Sequence, residues 1–161
     1  MNQNMRREDR LITDPERIRE IFAKAQVLHL GLKDGEAVYV VPLSYGFTVD
    51  AAGHYCLYCH SAAEGRKISL IGEGAAVGFA LDTGMDLFTA ETACGYGTLF
   101  ESVIGEGRAT LLADDGEKRV ALQALMDHYE SHRDWDFPDK MLGMMQVIKI
   151  DVTAFTAKSN R

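Results

Sequence analysis

Three strand-like runs separated by two turns follow one another between Gln26 and His60, and this confines the chain to antiparallel β structure. From Gln26 to Lys33 the residues alternate, with Val27, His29 and Gly31 on one side and Leu28, Leu30 and Leu32 on the other. Asp34-Gly35 is a hairpin signal. Glu36 to Val49 reads as one long strand carrying Val38, Val40, Val41 and Tyr45, and Pro42, which lacks an N–H, marks a bulge, an edge or a bend in it. A second turn over Asp50 to Gly53 returns the chain as a strand from His54 to His60.

Helical signals sit around this meander. Thr13 and Glu16 have capping-box spacing with Pro15 in the first turn, and Ile18, Ile21, Phe22 and Ala25 form one apolar face, which predicts a helix over 14–25. A short helix is expected over 64–72. Another is expected over 114–131, with Asp114, Asp115 and Glu117 at its positive end and Leu122, Leu125, Met126 and Tyr129 as its stripe. Ala75 to Leu81, Thr98 to Ala113 and Met144 to Phe155 read as further strands, with Gly105 and Gly107 as a bend. Asp82 to Gly97, which contains Gly84, Gly95 and Gly97, reads as an active-site loop or a twisted hairpin, and His132 to Gly143 as a connector. The sum is a mainly β (α+β) protein, a barrel of about six antiparallel strands with peripheral helices.

The chain has 161 residues, 47% of them hydrophobic and 25% charged, which suits a single domain over 1–161. No apolar run approaches the ~20 residues of a membrane helix. With 17 basic against 24 acidic residues and a net charge of −7, a general nucleic-acid surface is not expected. Arg6, Arg7 and Arg10, interrupted by Glu8 and Asp9, read as a solvated arm. The first ten residues are polar, without the apolar core of an export signal, so the three cysteines are expected to be reduced, small, buried or half-buried side chains in a cytoplasmic protein.

One segment concentrates chemistry. Tyr58-Cys59-His60-Ser61-Ala62-Ala63-Glu64-Gly65-Arg66-Lys67 runs from a strand through a short loop into a helix. A hydroxyl and free N–H groups at a helix start suit an anion. Arg66 and Lys67 lie where the helix dipole already places positive charge, an arrangement that an anion would relieve. A phosphate is the natural candidate; the alternative is that both side chains extend into water. The same segment holds Cys56-Leu57-Tyr58-Cys59-His60, the C-x-x-C-H pattern of covalent haem attachment. In a strand, residues three apart face opposite sides, so Cys56 and Cys59 cannot grip one porphyrin. Zinc lacks a second ligand pair, and no metal site is expected.

Val40-Val41-Pro42-Leu43-Ser44-Tyr45-Gly46 is the second notable piece. Pro42 frees backbone groups from regular pairing, so that Ser44 and its neighbours could bond a planar heterocycle lying on Val41 and Leu43; the competing reading is an edge strand protected by Pro42. His60 either ends a strand structurally or faces a ligand beside Ser61. His128 and His132, spaced i, i+4, read as a solvated helix face. There is no G-x-S-x-G and no cysteine beside a local base, so a cofactor is the expected carrier of chemistry.

Met5-Arg6-Arg7-Glu8-Asp9-Arg10 with Ile12-Thr13-Asp14, Tyr39 to Gly46, His60 to Lys67, Ser102-Val103-Ile104-Gly105-Glu106-Gly107, and His128-Tyr129 with Trp135-Asp136-Phe137-Pro138 occur in an order that resembles a known family. It is the flavin-binding split-barrel proteins related to pyridoxamine 5′-phosphate oxidase, and within them the branch that includes the nitroimidazole-resistance (Nim) proteins. The resemblance implies a six-stranded split β-barrel that forms a homodimer with FMN at the interface. It places Val41, Pro42, Leu43, Ser44 and Tyr45 along the isoalloxazine ring. Tyr58, Cys59, His60, Ser61, Gly65, Arg66 and Lys67 would lie around the phosphate end, and Ser102 and Val103 would approach from a later strand. The implied activity is FMN-dependent reduction of a small planar acceptor, a nitroimidazole-type compound being one candidate. The alternative is a flavin- or haem-binding carrier or sensor without turnover, with a deazaflavin as a further ligand choice. The resemblance does not extend to a pyridoxal-phosphate pocket motif, since Ala157-Lys158-Ser159-Asn160-Arg161 is short.

Overall fold

A computed structural model describes residues 7–160. The elements are β1 (Leu11–Ile12), α1 (Pro15–Lys24), β2 (Leu28–Asp34), β3 (Ala37–Leu43), β4 (Gly46–Val49), β5 (Tyr55–Ala62), α2 (Arg66–Ile71), β6 (Ala75–Phe88), β7 (Gly97–Leu111), α3 (Asp115–Tyr129), α4 (Asp139–Leu142) and β8 (Met145–Ser159). One antiparallel sheet runs in the order β3-β2-β6-β7-β8-β5-β4, and β1 adds to β8. Its ends stay unjoined, so the barrel is split. The eight strands exceed the expected six because Glu36–Val49 divides in two and β1 adds a short pair.

Alternation decides what the sheet encloses. Leu28, Leu30 and Leu32 turn inward from β2, as expected, and meet Leu57, Cys59, Val77, Phe79, Leu81, Val103, Ile148 and Ile150 in one core. Helix α1 plugs it with Ile21 and Phe22, both fully buried, and the Phe22 ring lies 4.4 Å from that of Tyr55. Each such aliphatic or aromatic side chain contributes about 1.5–3 kcal/mol when removed from water. The other face of β5 is covered by α3 and α4, where Tyr58, Leu112, Ala121, Leu122, Leu142 and Val147 form a second cluster.

Several local expectations shift. The N-cap of α1 is Asp14, whose carboxylate accepts from the N–H groups of Glu16 and Arg17, so Thr13 does not cap it. The β2–β3 turn residues are Gly35 and Glu36, because Asp34 still pairs with Ala37; only Gly35 adopts a positive φ, of 61°. The long strand breaks at Ser44 and Tyr45, because Tyr45 is drawn fully into the core. Its hydroxyl donates to the Phe22 carbonyl at 2.6 Å, and its N–H donates to the Tyr129 hydroxyl at 3.0 Å. The segment 82–97 is a hairpin that extends β6 and β7 beyond their neighbours. The glycine bend in β7 is a register shift against β8 between Glu106 and Gly107. Arg7 pairs with Asp9 at the surface, while Arg6 lies outside the described residues. Cys94 is exposed rather than buried.

His128 also departs from the expected solvated face. It is half-buried, bonds the Ala25 carbonyl through Nε2 at 2.8 Å, and lies 4.5 Å from the Tyr45 ring. Burial lowers its pKa from the usual 6.5, and the Ala25 carbonyl only partly opposes that. The unfolded chain therefore binds this proton more readily than the folded one. The contribution is fully present above pH ~6.5 and is lost as pH falls below it. We predict that thermal stability falls between pH 7 and pH 5 and that His128→Gln flattens this part of the profile, as followed by circular dichroism.

Candidate functional site

The candidate site forms where β5 ends. Its inward residues are Tyr55, Leu57, Cys59 and Ser61, and its outward ones are Cys56, Tyr58, His60 and Ala62. Ser61 is only 7% exposed, and its Oγ is buried without a hydrogen-bond partner among the described residues. An unpaired buried hydroxyl costs about 1–3 kcal/mol, so this atom calls for a partner. The chain then turns at Gly65, where φ is 139°, a region that favours glycine, and a Cβ there would meet nothing within 4 Å.

Helix α2 follows with both cations at its start and no side-chain cap. Lys67 is half-buried and has no ion-pair partner among the described residues. Its charge acts to lower the Cys59 thiol. Burial nevertheless pushes that thiol up to about 12. Arg66 donates from Nε at 2.8 Å and Nη2 at 2.6 Å to one oxygen, Oδ2 of Asp34, and its guanidinium carbon lies 4.4 Å from the Tyr39 ring centroid. The β2–β3 hairpin thus closes over α2. Neither Asp34 nor Tyr39 carries a local signal for this role, because the partners are 32 residues apart in sequence for Asp34.

The other sequence candidates divide by face. Val41 and Leu43 lean on the barrel core, and Pro42 and Ser44 are exposed. β3 is the sheet edge, so the edge reading of Pro42 holds. The Tyr45 side chain is engaged in the core, which leaves no free hydroxyl for a ligand. Tyr58 is 9% exposed beneath α3, and its hydroxyl lies 3.2 Å from Thr48 Oγ1. Cys59 and Val103 are fully buried, Ser102 is 9% exposed on the outer sheet face, and His60 is exposed on the face opposite Ser61. Within the chain β2 and β6 separate β3 from β7, about 14 Å at ~4.8 Å per strand, so the Pro42 and Ser102 regions do not meet.

Around Val38, Val40 and Ile104 that outer face is open. Val40, Gly31, Gly78, Glu106 and Ala154 stand in register across it, as do Pro42, His29, Ala80, Ile104 and Thr156. Val38 is 75% exposed, and Val40 and Ile104 are each 57% exposed.

Cys56 and Cys59 point to opposite faces, which removes the C-x-x-C-H reading. Burial first, and then its hydrogen bond to Asp151, raise the Cys56 thiol, so both cysteines of β5 shift opposite to the direction that activates a nucleophilic thiol. No cluster of metal-ligating side chains occurs among the described residues, and no helix there is long and apolar enough to cross a membrane. One buried carboxylate was not apparent in the sequence: Glu101, 3% exposed, is held by Arg17 of α1.

The sequence profile of the family described as pyridoxamine 5′-phosphate oxidase matches residues 14–159. The chain belongs to this family. Among solved structures, this pyridoxamine 5′-phosphate oxidase family member resembles a candidate 5-nitroimidazole antibiotic resistance protein from Bacteroides thetaiotaomicron. The two are 31% identical with a TM-score of 0.78, over 92% of this chain and 86% of that one. The FAD and heme binding protein from Mycobacterium smegmatis shares the fold at TM-score 0.82 and 18% identity, over 94% of this chain and 74% of that one. The flavocytochrome Anf3 from Azotobacter vinelandii does so at TM-score 0.79 and 20% identity, over 98% and 72%. No curated protein matches.

Proposed function

We propose that this family member is an FMN-dependent oxidoreductase that reduces a small planar acceptor, with nitroimidazole-type nitro compounds as the first class to test. The observation that carries the reading is the buried Ser61 hydroxyl, without a partner among the described residues, at the end of β5 from which the chain leads through Gly65 into Arg66 and Lys67 of α2. A phosphate supplies acceptors for all three, and a charge-assisted bond is about twice as strong as a neutral one. The donor set therefore fits the phosphate end of FMN. Family membership and the 31% identity to the candidate 5-nitroimidazole resistance protein support the same choice.

When bound, FMN supplies the reversible redox chemistry, which no side chain of the site offers. The chain's residues bind, orient and exclude water. Ser61, Arg66 and Lys67 hold the phosphate. The exposed edge of β3 at Pro42 and Ser44 offers backbone groups to the ring, and Val41 and Leu43 stiffen that edge by packing inward. The open part of the outer face, with Val38, Val40 and Ile104, fits a second copy of the chain, and such a dimer brings Ser102 of one protomer toward a ring held by the other.

The test is the spectrum and mass of the small molecule that copurifies, followed by reduction with NAD(P)H and reoxidation with nitro compounds. Flavin absorbance, the mass of FMN and acceptor-dependent reoxidation are expected. A haem Soret band, or a flavin that no acceptor reoxidises, would replace the enzyme by a carrier.

A further inference from the structure

We propose that Asp34 is a positioning residue for the anion site: it holds the Arg66 guanidinium so that the Nη1 edge stays free for the cofactor's phosphate. The inference rests on the FMN reading above. Asp34 Oδ2 takes both Nε and Nη2, and Tyr39 covers the guanidinium face, so two of the group's three recognition surfaces are occupied by the β2–β3 hairpin. Nη1 has no partner among the described residues. A guanidinium presents five N–H donors in a rigid fork, so fixing one edge fixes the direction of the others. Without the hairpin, Arg66 is a long, flexible side chain at the first position of α2, 55% exposed, with no other partner to orient it.

The arrangement also accounts for an acidic residue beside a site meant for an anion. Asp34 occupies the Nε–Nη2 edge, leaves both Nη1 donors free, and leaves Lys67 without an ion pair among the described residues, so the site keeps a net positive charge while one of its cations is held still. Because Asp34 and Tyr39 bracket the β2–β3 turn, and β3 carries the edge proposed for the ring, the same hairpin sets the distance between the phosphate and ring ends.

The experiment measures Kd for FMN and for riboflavin by flavin fluorescence quenching in the parent, Asp34→Ala, Arg66→Ala and the double variant. Asp34→Ala is expected to weaken FMN about tenfold, equivalent to ~1.4 kcal/mol, and to leave riboflavin unchanged. In the Arg66→Ala background the same substitution should add nothing, because the residue acts only through Arg66. Equal losses for FMN and riboflavin would mean that the hairpin merely collapsed and would overturn the proposal. An unchanged or tighter FMN Kd in Asp34→Ala would also overturn it, by making Asp34 a bystander or a competitor. If the parent itself binds riboflavin as tightly as FMN, the phosphate reading falls and the inference with it, an outcome visible before any variant is made.

Discussion

With Arg66 and Lys67 both replaced by alanine, FMN should bind at least ~100-fold more weakly than it does to the parent protein, since each 1.4 kcal/mol is tenfold and each contact to a charged group contributes about 1.5–3 kcal/mol. Riboflavin, which lacks the phosphate, should lose little affinity in the same variant. The structure sharpens the expectation by assigning the two cations different work. Lys67 is half-buried and has no ion-pair partner among the described residues, so it provides charge. Arg66 is exposed but clamped, so it provides direction. Ser61→Ala should then weaken FMN less than the double variant, because it removes one contact to the charged phosphate rather than two. His132→Ala is the control. That exposed ring, beyond the end of α3, bonds Asp127 Oδ2 at 2.9 Å and has no part in the site. A double variant that holds FMN as tightly as the parent would reduce Arg66 and Lys67 to a solvated helix start.

What could be read from the sequence divides along a physical line. Features fixed by neighbours in the chain were legible. The inward set Leu28, Leu30 and Leu32 follows from a two-residue period, and the opposed faces of Cys56 and Cys59 follow from the same geometry. The acidic start of α3, where Asp114 accepts from the Glu117 N–H at 2.9 Å, follows from local capping chemistry. Features fixed by tertiary partners were not legible. The strand break at Tyr45 depends on Phe22 and Tyr129, far away in sequence, and His128 is half-buried because α3 settles on Ala25 and Tyr45. The site shows the same division. Ser61, Gly65, Arg66 and Lys67 were visible as a local cluster, whereas the Asp34 and Tyr39 clamp needed the hairpin to fold over α2. Overreach came where a plausible local motif lost to a better one, as when Asp14 rather than Thr13 took the helix cap.

Gly46→Ala should be among the most destabilising single substitutions in the chain. A Cβ at Gly46 would lie closer than 3.0 Å to the carbonyl carbon and oxygen of Ala124 and to the Cα of Leu125. All of these are backbone atoms of α3, so no side chain can rotate away, and β4 or the helix must move. Overpacking of this kind typically costs about 1–3 kcal/mol and occasionally more, and a clash between two backbones belongs at the upper end. For a domain of this size, ~3 kcal/mol corresponds to a fall in Tm of about 6–12 °C. The contact also holds neighbours in place: β4 pairs with β5 at Tyr58, and Tyr45, one residue before Gly46, bonds Tyr129 of the same helix. Moving α3 therefore loosens both the second core cluster and the break that ends β3, the edge proposed to receive the flavin ring. Gly143→Ala is the matched control, since its φ of −71° suits any residue and its Cβ would meet only the carbonyl oxygens of Asp139 and Lys140, both at 3.7 Å. Both variants are to be melted with and without added FMN, because a ligand that binds only the folded state raises Tm by mass action and can mask a loss. A Gly46→Ala protein that melts with the parent would mean that α3 and β4 approach less closely than described, and the placement of Tyr45 in the core would have to be revised with it.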